Sequence, residues 1–305
     1  MCIEKITATA SSNIALIKYW GKLDIENNIP TNPSISVGLP FLKTITGIFK
    51  NNEGKYIFRL NNNDVKITDR MLKCINFFRK IANNDDFITI ESENNFPDSC
   101  GLASSASGMA ALVKALNKYY QTDLSDEKLS EIARVGSGSA CRSIFDNIVK
   151  WDNEKAFEIG KWDDLRIFNI VISKKKKKVS STDGMIRTPL TSPFFETRLN
   201  LIHDKISKVE ECLKNLDFKR LGEIVIRESN ELQALCLSSY PPIRYLEDSS
   251  FDVINDIFAL NELEFKAFYS FDAGPNPFIF VQEKNFDEVF NFFKNKYSYE
   301  LIIGK

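Results

Sequence analysis

A chain of 305 residues with 40 Lys+Arg against 41 Asp+Glu has a formal net charge of -1, so no global field draws it to nucleic acid or to an anionic membrane. Its single histidine, His203, lies in a polar helical pattern and argues against a zinc cluster or a Ser-His-Asp triad, while six cysteines without a C-x-x-C pair are expected to stay reduced. No apolar run nears the roughly 18 residues of a membrane helix and residues 1–5 lack the pattern of a signal peptide, so the expectation is a soluble, cytoplasmic protein large enough for two lobes.

Along the chain, short apolar or alternating stretches predict strands at 5–10, 34–39, 44–49 and 56–60. Between the first two, Lys18 and Lys22 bracket Tyr19 and Trp20. Like charges four residues apart repel unless an anion sits between them, so this pair points to an anion site. A helix follows over 67–82, then a strand at 87–90 that leads into a loop of small, polar and turn-forming residues at 92–108. That loop runs into a helix expected at 104–120. Small residues let the backbone approach an anion, and the first helical turn offers free N–H groups and the positive end of the dipole, which together make a phosphate cradle. The loop has no G-x-x-x-x-G-K-[ST] pattern, so a lysine must come from elsewhere.

A helix over 126–135 leads to a second small-residue loop, 136–143, carrying Arg142, whose planar fork suits phosphate or carboxylate. A strand at 167–173 precedes the lysine run 174–178, which reads as a solvated edge in preference to an electrostatic funnel for an anion. Amphipathic helices at 194–213 and 221–235 and strands at 265–271 and 278–281 complete an α+β second half. Asp272 stands at the mouth of a tight turn in 271–276. The lobe boundary is expected between residues 162 and 180, drawn as 1–170 and 171–305. No proline- or glycine-rich linker marks it, so the lobes should meet closely and hold their ligands in the cleft between them.

Pro97-x-x-x-Gly101-Leu102-Ala103-Ser104-Ser105-Ala106 resembles the phosphate loop of the GHMP small-molecule kinases. With it stand, in family order, residues 13–22, Pro30-Thr31-Asn32 with Ser34-Ile35-Ser36, residues 136–143, Val179-Ser180-Ser181-Thr182 with Gly184-Met185, and residues 272–276. This ordered set is similar to the diphosphomevalonate decarboxylase family over nearly the whole chain. The resemblance implies a two-lobed GHMP kinase fold of class α+β, with an N-terminal lobe of the ribosomal S5 domain 2-like type, a C-terminal α+β lobe and the active site between. It also implies ATP and Mg²⁺ and a homodimer. The reaction implied is decarboxylation of 5-diphosphomevalonate to isopentenyl diphosphate through phosphorylation of the tertiary hydroxyl.

Residue by residue, the resemblance places Asp272 at the accepting hydroxyl with Lys18 beside it, and Arg142 at the substrate's carboxylate. Asn13, Tyr19, Lys22, Ser137, Ser139, Ser180 and Ser181 fall to the rest of the substrate. Pro97, Gly101, Leu102, Ala103, Ser104, Ser105, Ala106 and Ser107 fall to the triphosphate, with Ser105 near the metal. Three departures stand out: Asp98-Ser99-Cys100 where small uncharged residues are usual, Phe145-Asp146-Asn147 where the family has a pair of glycines, and Lys178 where an acidic residue is common. Two alternatives stay open: a sister enzyme such as a phosphomevalonate decarboxylase or a mevalonate 3-kinase, and a catalytically silent binding protein of the same fold. Retention of Lys18, Ser105, Arg142 and Asp272 together argues against the silent protein.

Overall fold

The computed structural model describes residues 5–96, 104–152 and 155–304. The chain begins with strands β1 (Ile6–Ile17), β2 (Lys22–Asp24), β3 (Ile29–Pro30), β4 (Ser34–Lys50), β5 (Ile57–Leu60) and β6 (Asn63–Asp64). Helix α1 (Asp69–Ala82), strand β7 (Ile88–Asn94) and helices α2 (Ser104–Tyr119) and α3 (Asp126–Gly136) come next. A 3-10 turn (Gly138–Ile144) leads to β8 (Ile148–Asp152) and β9 (Lys155–Gly160). The second half runs β10 (Leu165–Val171), α4 (Ser181–Thr191), α5 (Phe195–Asn215), α6 (Phe218–Ser238), α7 (Asp248–Leu260), β11 (Ala267–Ser270), β12 (Phe278–Gln282), α8 (Phe286–Lys296) and β13 (Glu300–Ile303). Among the described residues no helix is long and apolar enough to cross a membrane.

The first sheet has seven strands in the order β6-β5-β7-β4-β8-β9, with β1 antiparallel along β4. Two separate strands at 34–39 and 44–49 are one strand here. Pro40 cannot donate to a ladder, and the chain accommodates it by a register jump: Ser12 faces Leu39, yet Ser11 faces Lys43. Helices α1, α2 and α3 cover this sheet through a core that includes Ile75, Phe78, Ile90, Leu112, Leu116 and Leu129.

The second sheet is antiparallel, β11-β12-β10-β13. Phe168 on β10 meets Phe286, Phe290 and Phe293 of α8 on one face, while Phe268, stacked on Phe280 at 4.6 Å, meets Phe218 of α6 on the other. Strand β10 pairs with both β12 and β13, so a division of the chain by sheets falls between β9 and β10; one drawn after residue 170 cuts through a central strand. One continuous core joins Ile14, Leu16, Ile35 and Leu39 of the first sheet to Phe168, Phe268 and Phe280 of the second. The lobes are therefore fused along β1, in keeping with the missing linker.

Candidate active site

The end of β1 and the turn after β11 meet at the floor of a cleft of about 280 Å³. Lys18, the residue after β1, directs Nζ to Asp272 Oδ1 at 2.7 Å and to Ser270 Oγ at 2.7 Å, and that hydroxyl donates to the Ala15 carbonyl at 2.9 Å. The Lys18 side chain is 2% exposed and that of Asp272 30%, so a buried cation backs a carboxylate that opens to the cleft. Burial pushes the Lys18 pKa down, and the Asp272 charge partly restores it. The turn is closed by Gly274 N–H donating to the Asp272 carbonyl at 2.9 Å.

Arg142 comes from the 3-10 turn and is 3% exposed. It donates through Nε and Nη2 to Asn13 Oδ1 at 3.3 and 3.2 Å and through Nη1 to Ser34 Oγ at 2.6 Å, with its guanidinium 5.6 Å from the Trp151 ring centre. Asn13 is thus a holder of Arg142; its own Nδ2 donates to Ser143 Oγ at 2.7 Å and to the Ser139 carbonyl at 3.2 Å. Tyr19 packs edge-on against Trp151 at 4.6 Å, and its buried hydroxyl has no hydrogen-bond partner among the described residues. Gly138 lets that ring close in: a Cβ there would stand 2.6 Å from Tyr19 Cε1. Lys22 donates to Asn28 Oδ1 at 2.7 Å, and its pKa is pushed down to about 8 by burial and by the nearby Arg70 cation.

Ser104 and Ser105, in the first turn of α2, line the same cleft, as do Ser137, Ser139 and Ser181. Pro97, Gly101, Leu102 and Ala103 of the cradle, and Asp98, lie outside the described residues. Two of its other members serve the fold. Ala106 is in the core, and the Ser107 hydroxyl shares a 2.7 Å hydrogen bond with Thr44 Oγ1, tying α2 to β4. Ser180 caps α4, accepting from Asp183 N–H at 3.0 Å, and is exposed outside the cleft lining. The departures at Asp146 and Lys178 also point elsewhere: Asp146 accepts from Ser11, and Lys178 is exposed.

Two cations in the cleft carry no motif. Lys177 of the lysine run turns inward, donating to Ser181 Oγ at 2.7 Å and the Ala273 carbonyl at 3.2 Å, while Lys174, Lys175, Lys176 and Lys178 stay exposed. Arg70, on the first turn of α1, lines both this cleft and an adjoining pocket of about 410 Å³ walled by Phe58, Leu60, Met71, Ile90, Met109 and Leu112. Ser104, Ser105 and Ser137 border both spaces, so an anion-binding cleft and an apolar pocket meet at the start of α2. The arrangement suits phosphoryl transfer: cations and a helix start for phosphates, an apolar pocket for a flat base, and a carboxylate beside a buried ammonium for a hydroxyl.

A diphosphomevalonate decarboxylase-like N-terminal domain matches residues 10–161, and a mevalonate 5-diphosphate decarboxylase C-terminal domain matches residues 167–302. The chain is 39% identical over 310 residues to diphosphomevalonate decarboxylase of Candida albicans, covering 93% of this chain and 86% of that protein. Among solved structures, mevalonate diphosphate decarboxylase from Staphylococcus aureus superposes with a TM-score of 0.91 at 34% identity, covering 99% of this chain and 98% of that one. The protein designated MDDEF, in complex with MVAPP, AMPPCP and magnesium, superposes with a TM-score of 0.87 at 34% identity over the same shares.

Proposed function

Because the chain belongs to the diphosphomevalonate decarboxylase family, we propose that its cleft works with Asp272 and Lys18 at the reacting hydroxyl, Arg142 at the substrate's carboxylate and the start of α2 at the triphosphate. The reaction is the ATP-dependent decarboxylation of 5-diphosphomevalonate to isopentenyl diphosphate, with ADP, phosphate and CO₂ as the other products, in the mevalonate pathway. The observation that carries the residue assignment is the 2.7 Å contact of buried Lys18 with Asp272, in the same cleft as Arg142 and Ser105.

A tertiary hydroxyl is a poor leaving group, and phosphorylation turns it into phosphate. Its C–O bond then breaks with the electron pair going to phosphate, while the electrons of the C–C bond to the carboxylate form the alkene and release CO₂. The protein has to hold the hydroxyl in line and bind the charges, and little covalent work remains for it. Asp272 accepts the hydroxyl hydrogen, and Lys18 fixes the direction of its carboxylate and offsets its charge as the anionic phosphoryl group nears. Lys177, within reach of Ser181 and the Asp272 turn, adds a cation on the phosphate side. The start of α2 offers the exposed Ser105 hydroxyl and no acidic residue in its first turn, which fits a Mg²⁺ carried in on the phosphates; when bound it neutralises their oxygens. The adjoining apolar pocket takes the nucleoside.

At the substrate's 5-end the unpartnered Tyr19 hydroxyl, Lys22, Arg70, Ser137 and Ser139 support a diphosphate over a single phosphate or a free hydroxyl. Lys22 is protonated below about 8 and loses its proton above it, so the KM for diphosphomevalonate is expected to rise through pH 8 to 9.5, by up to about tenfold per pH unit. Lys22→Met should flatten that rise, and a wild-type KM that stays level across this range would remove Lys22 from the site. The near-neutral charge supports a protein without a nucleic-acid partner, and the exposed Leu237 and Phe251, which line one surface pocket, support a homodimer.

The deciding assay pairs Mg²⁺-ATP separately with mevalonate, 5-phosphomevalonate and 5-diphosphomevalonate, measuring ADP and CO₂. Equal ADP and CO₂ from the diphosphate alone is the expected result. ADP without CO₂, or turnover of one of the other two, would move the protein to a sister kinase or decarboxylase.

A further inference from the structure

Helix α6 reaches both members of the Lys18–Asp272 pair from behind the cleft. Glu228, fully buried, accepts the Lys18 main-chain N–H on Oε1 at 3.1 Å. The same oxygen takes Arg198 Nη2 at 2.5 Å, and Arg198 turns that nitrogen also to the Lys18 carbonyl at 3.0 Å. Glu228 Oε2 takes Lys205 Nζ at 2.8 Å. Asn32 completes the clamp, donating to the Lys18 carbonyl at 3.0 Å while accepting from Arg198 at 3.1 Å. The next residue, Ser229, accepts the Phe271 N–H on Oγ at 2.9 Å, and in the following turn Gln233 Nε2 donates to the Asp272 carbonyl at 3.2 Å. A single rigid element therefore fixes the main chain on both sides of a 2.7 Å side-chain contact.

We propose that Glu228 and Gln233 are positioning residues which set the distance and direction between Lys18 and Asp272, making α6 the gauge of the reacting pair. The inference rests on the reading of that pair as the group acting on the hydroxyl. Neither residue has to touch substrate for this. A buried carboxylate would be a poor choice for mere packing, since removing a charge from water is costly unless partners recover it, and here two cations and a main-chain N–H are gathered to do so. Burial opposes the Glu228 charge, but Arg198 and Lys205 hold its carboxyl below the usual range, so it stays ionised. Displacing reacting groups by about 1 Å can cost on the order of 100-fold in rate without any loss of binding.

The test compares Glu228→Gln and Gln233→Met with the wild-type enzyme for kcat, for KM of ATP and of diphosphomevalonate, and for melting temperature, with Asp272→Ala alongside. The expected result is a kcat lowered by roughly 10- to 100-fold in Glu228→Gln and by about 5- to 10-fold in Gln233→Met, with both KM values within about twofold of wild type. Gln233 lies at the edge of the network, so its variant decides the matter if Glu228→Gln proves unfolded. Wild-type kcat in folded Gln233→Met, or KM values that worsen in step with kcat, overturns the positioning role. If Asp272→Ala itself turns over normally, it is the reading of the pair that fails.

Discussion

Asp272→Ala is expected to lower kcat by roughly 10²- to 10⁴-fold, the range in which a positioned acid–base group contributes. The carboxylate is the acidic side chain lining the cleft among the described residues, so no neighbour there can take over its contact with the hydroxyl. The change also strips Lys18 of its charge partner and leaves Ser270 Oγ as its hydrogen-bond acceptor. Burial already favours the neutral amine, so without Asp272 the ammonium is less easily kept in place. ATP binding should survive, because the start of α2 and the apolar pocket beside it do not depend on the Asp272 turn. The check is a pair of measurements: single-turnover ADP release, and the ATP-dependent rise in melting temperature, which at a hundred times Kd reflects roughly 2.7 kcal/mol. Normal turnover would remove Asp272 from the chemistry. Loss of both readouts would make it a structural residue.

How much of this was legible from the residues alone depended on whether a side chain's partner lay nearby in sequence. The clusters around Lys18, Ser105, Arg142 and Asp272 stand out as small, polar stretches between hydrophobic runs, and the structure brings all four to one cleft. Serines were the ambiguous letters. Ser107 and Ser180 look like their neighbours, but one hydroxyl ties α2 to β4 and the other caps α4, because a serine serves a cap, a core hydrogen bond or a ligand equally well. Lys177 was hidden by uniformity. Which of five lysines turns inward is not written in the run itself, and its start is held from far along the chain, where the Asn276 side chain makes two hydrogen bonds at 2.9 Å to the main chain of Ser173. Arg70 sits alone on α1 and gains meaning only when α1, α2 and the 3-10 turn converge. Among the elements, α4 contains Pro189, and β13 is a four-residue edge strand without full burial, so neither has a strong local signature. The join at β10 is a matter of pairing, which periodicity does not report.

Arg142→Lys keeps a positive charge at the same place and is still expected to lower kcat/KM for diphosphomevalonate by on the order of 100-fold. A guanidinium has five N–H donors. Three of them are committed, two to Asn13 and one to Ser34, which leaves two among the described residues, one on each terminal nitrogen. Two such donors on neighbouring nitrogens can grip a carboxylate with two hydrogen bonds, and the contacts to Asn13, Ser34 and the Trp151 face hold the guanidinium in place. An ammonium has three donors on a single point. It can satisfy Asn13 and Ser34, but it cannot also present two parallel bonds, so the carboxylate would be bound loosely and in more than one orientation. Orientation matters because the C–C bond that breaks must line up with the departing phosphate, and a freely turning carboxylate meets that condition rarely. Because Arg142 is not part of the apolar pocket that takes the nucleoside, the KM for ATP should stay within about twofold. Steady-state kinetics with both substrates varied, together with the ratio of CO₂ to ADP, checks this. A lysine variant with unchanged kcat/KM would mean that Arg142 contributes charge alone, and one impaired equally toward ATP would place it with the phosphates.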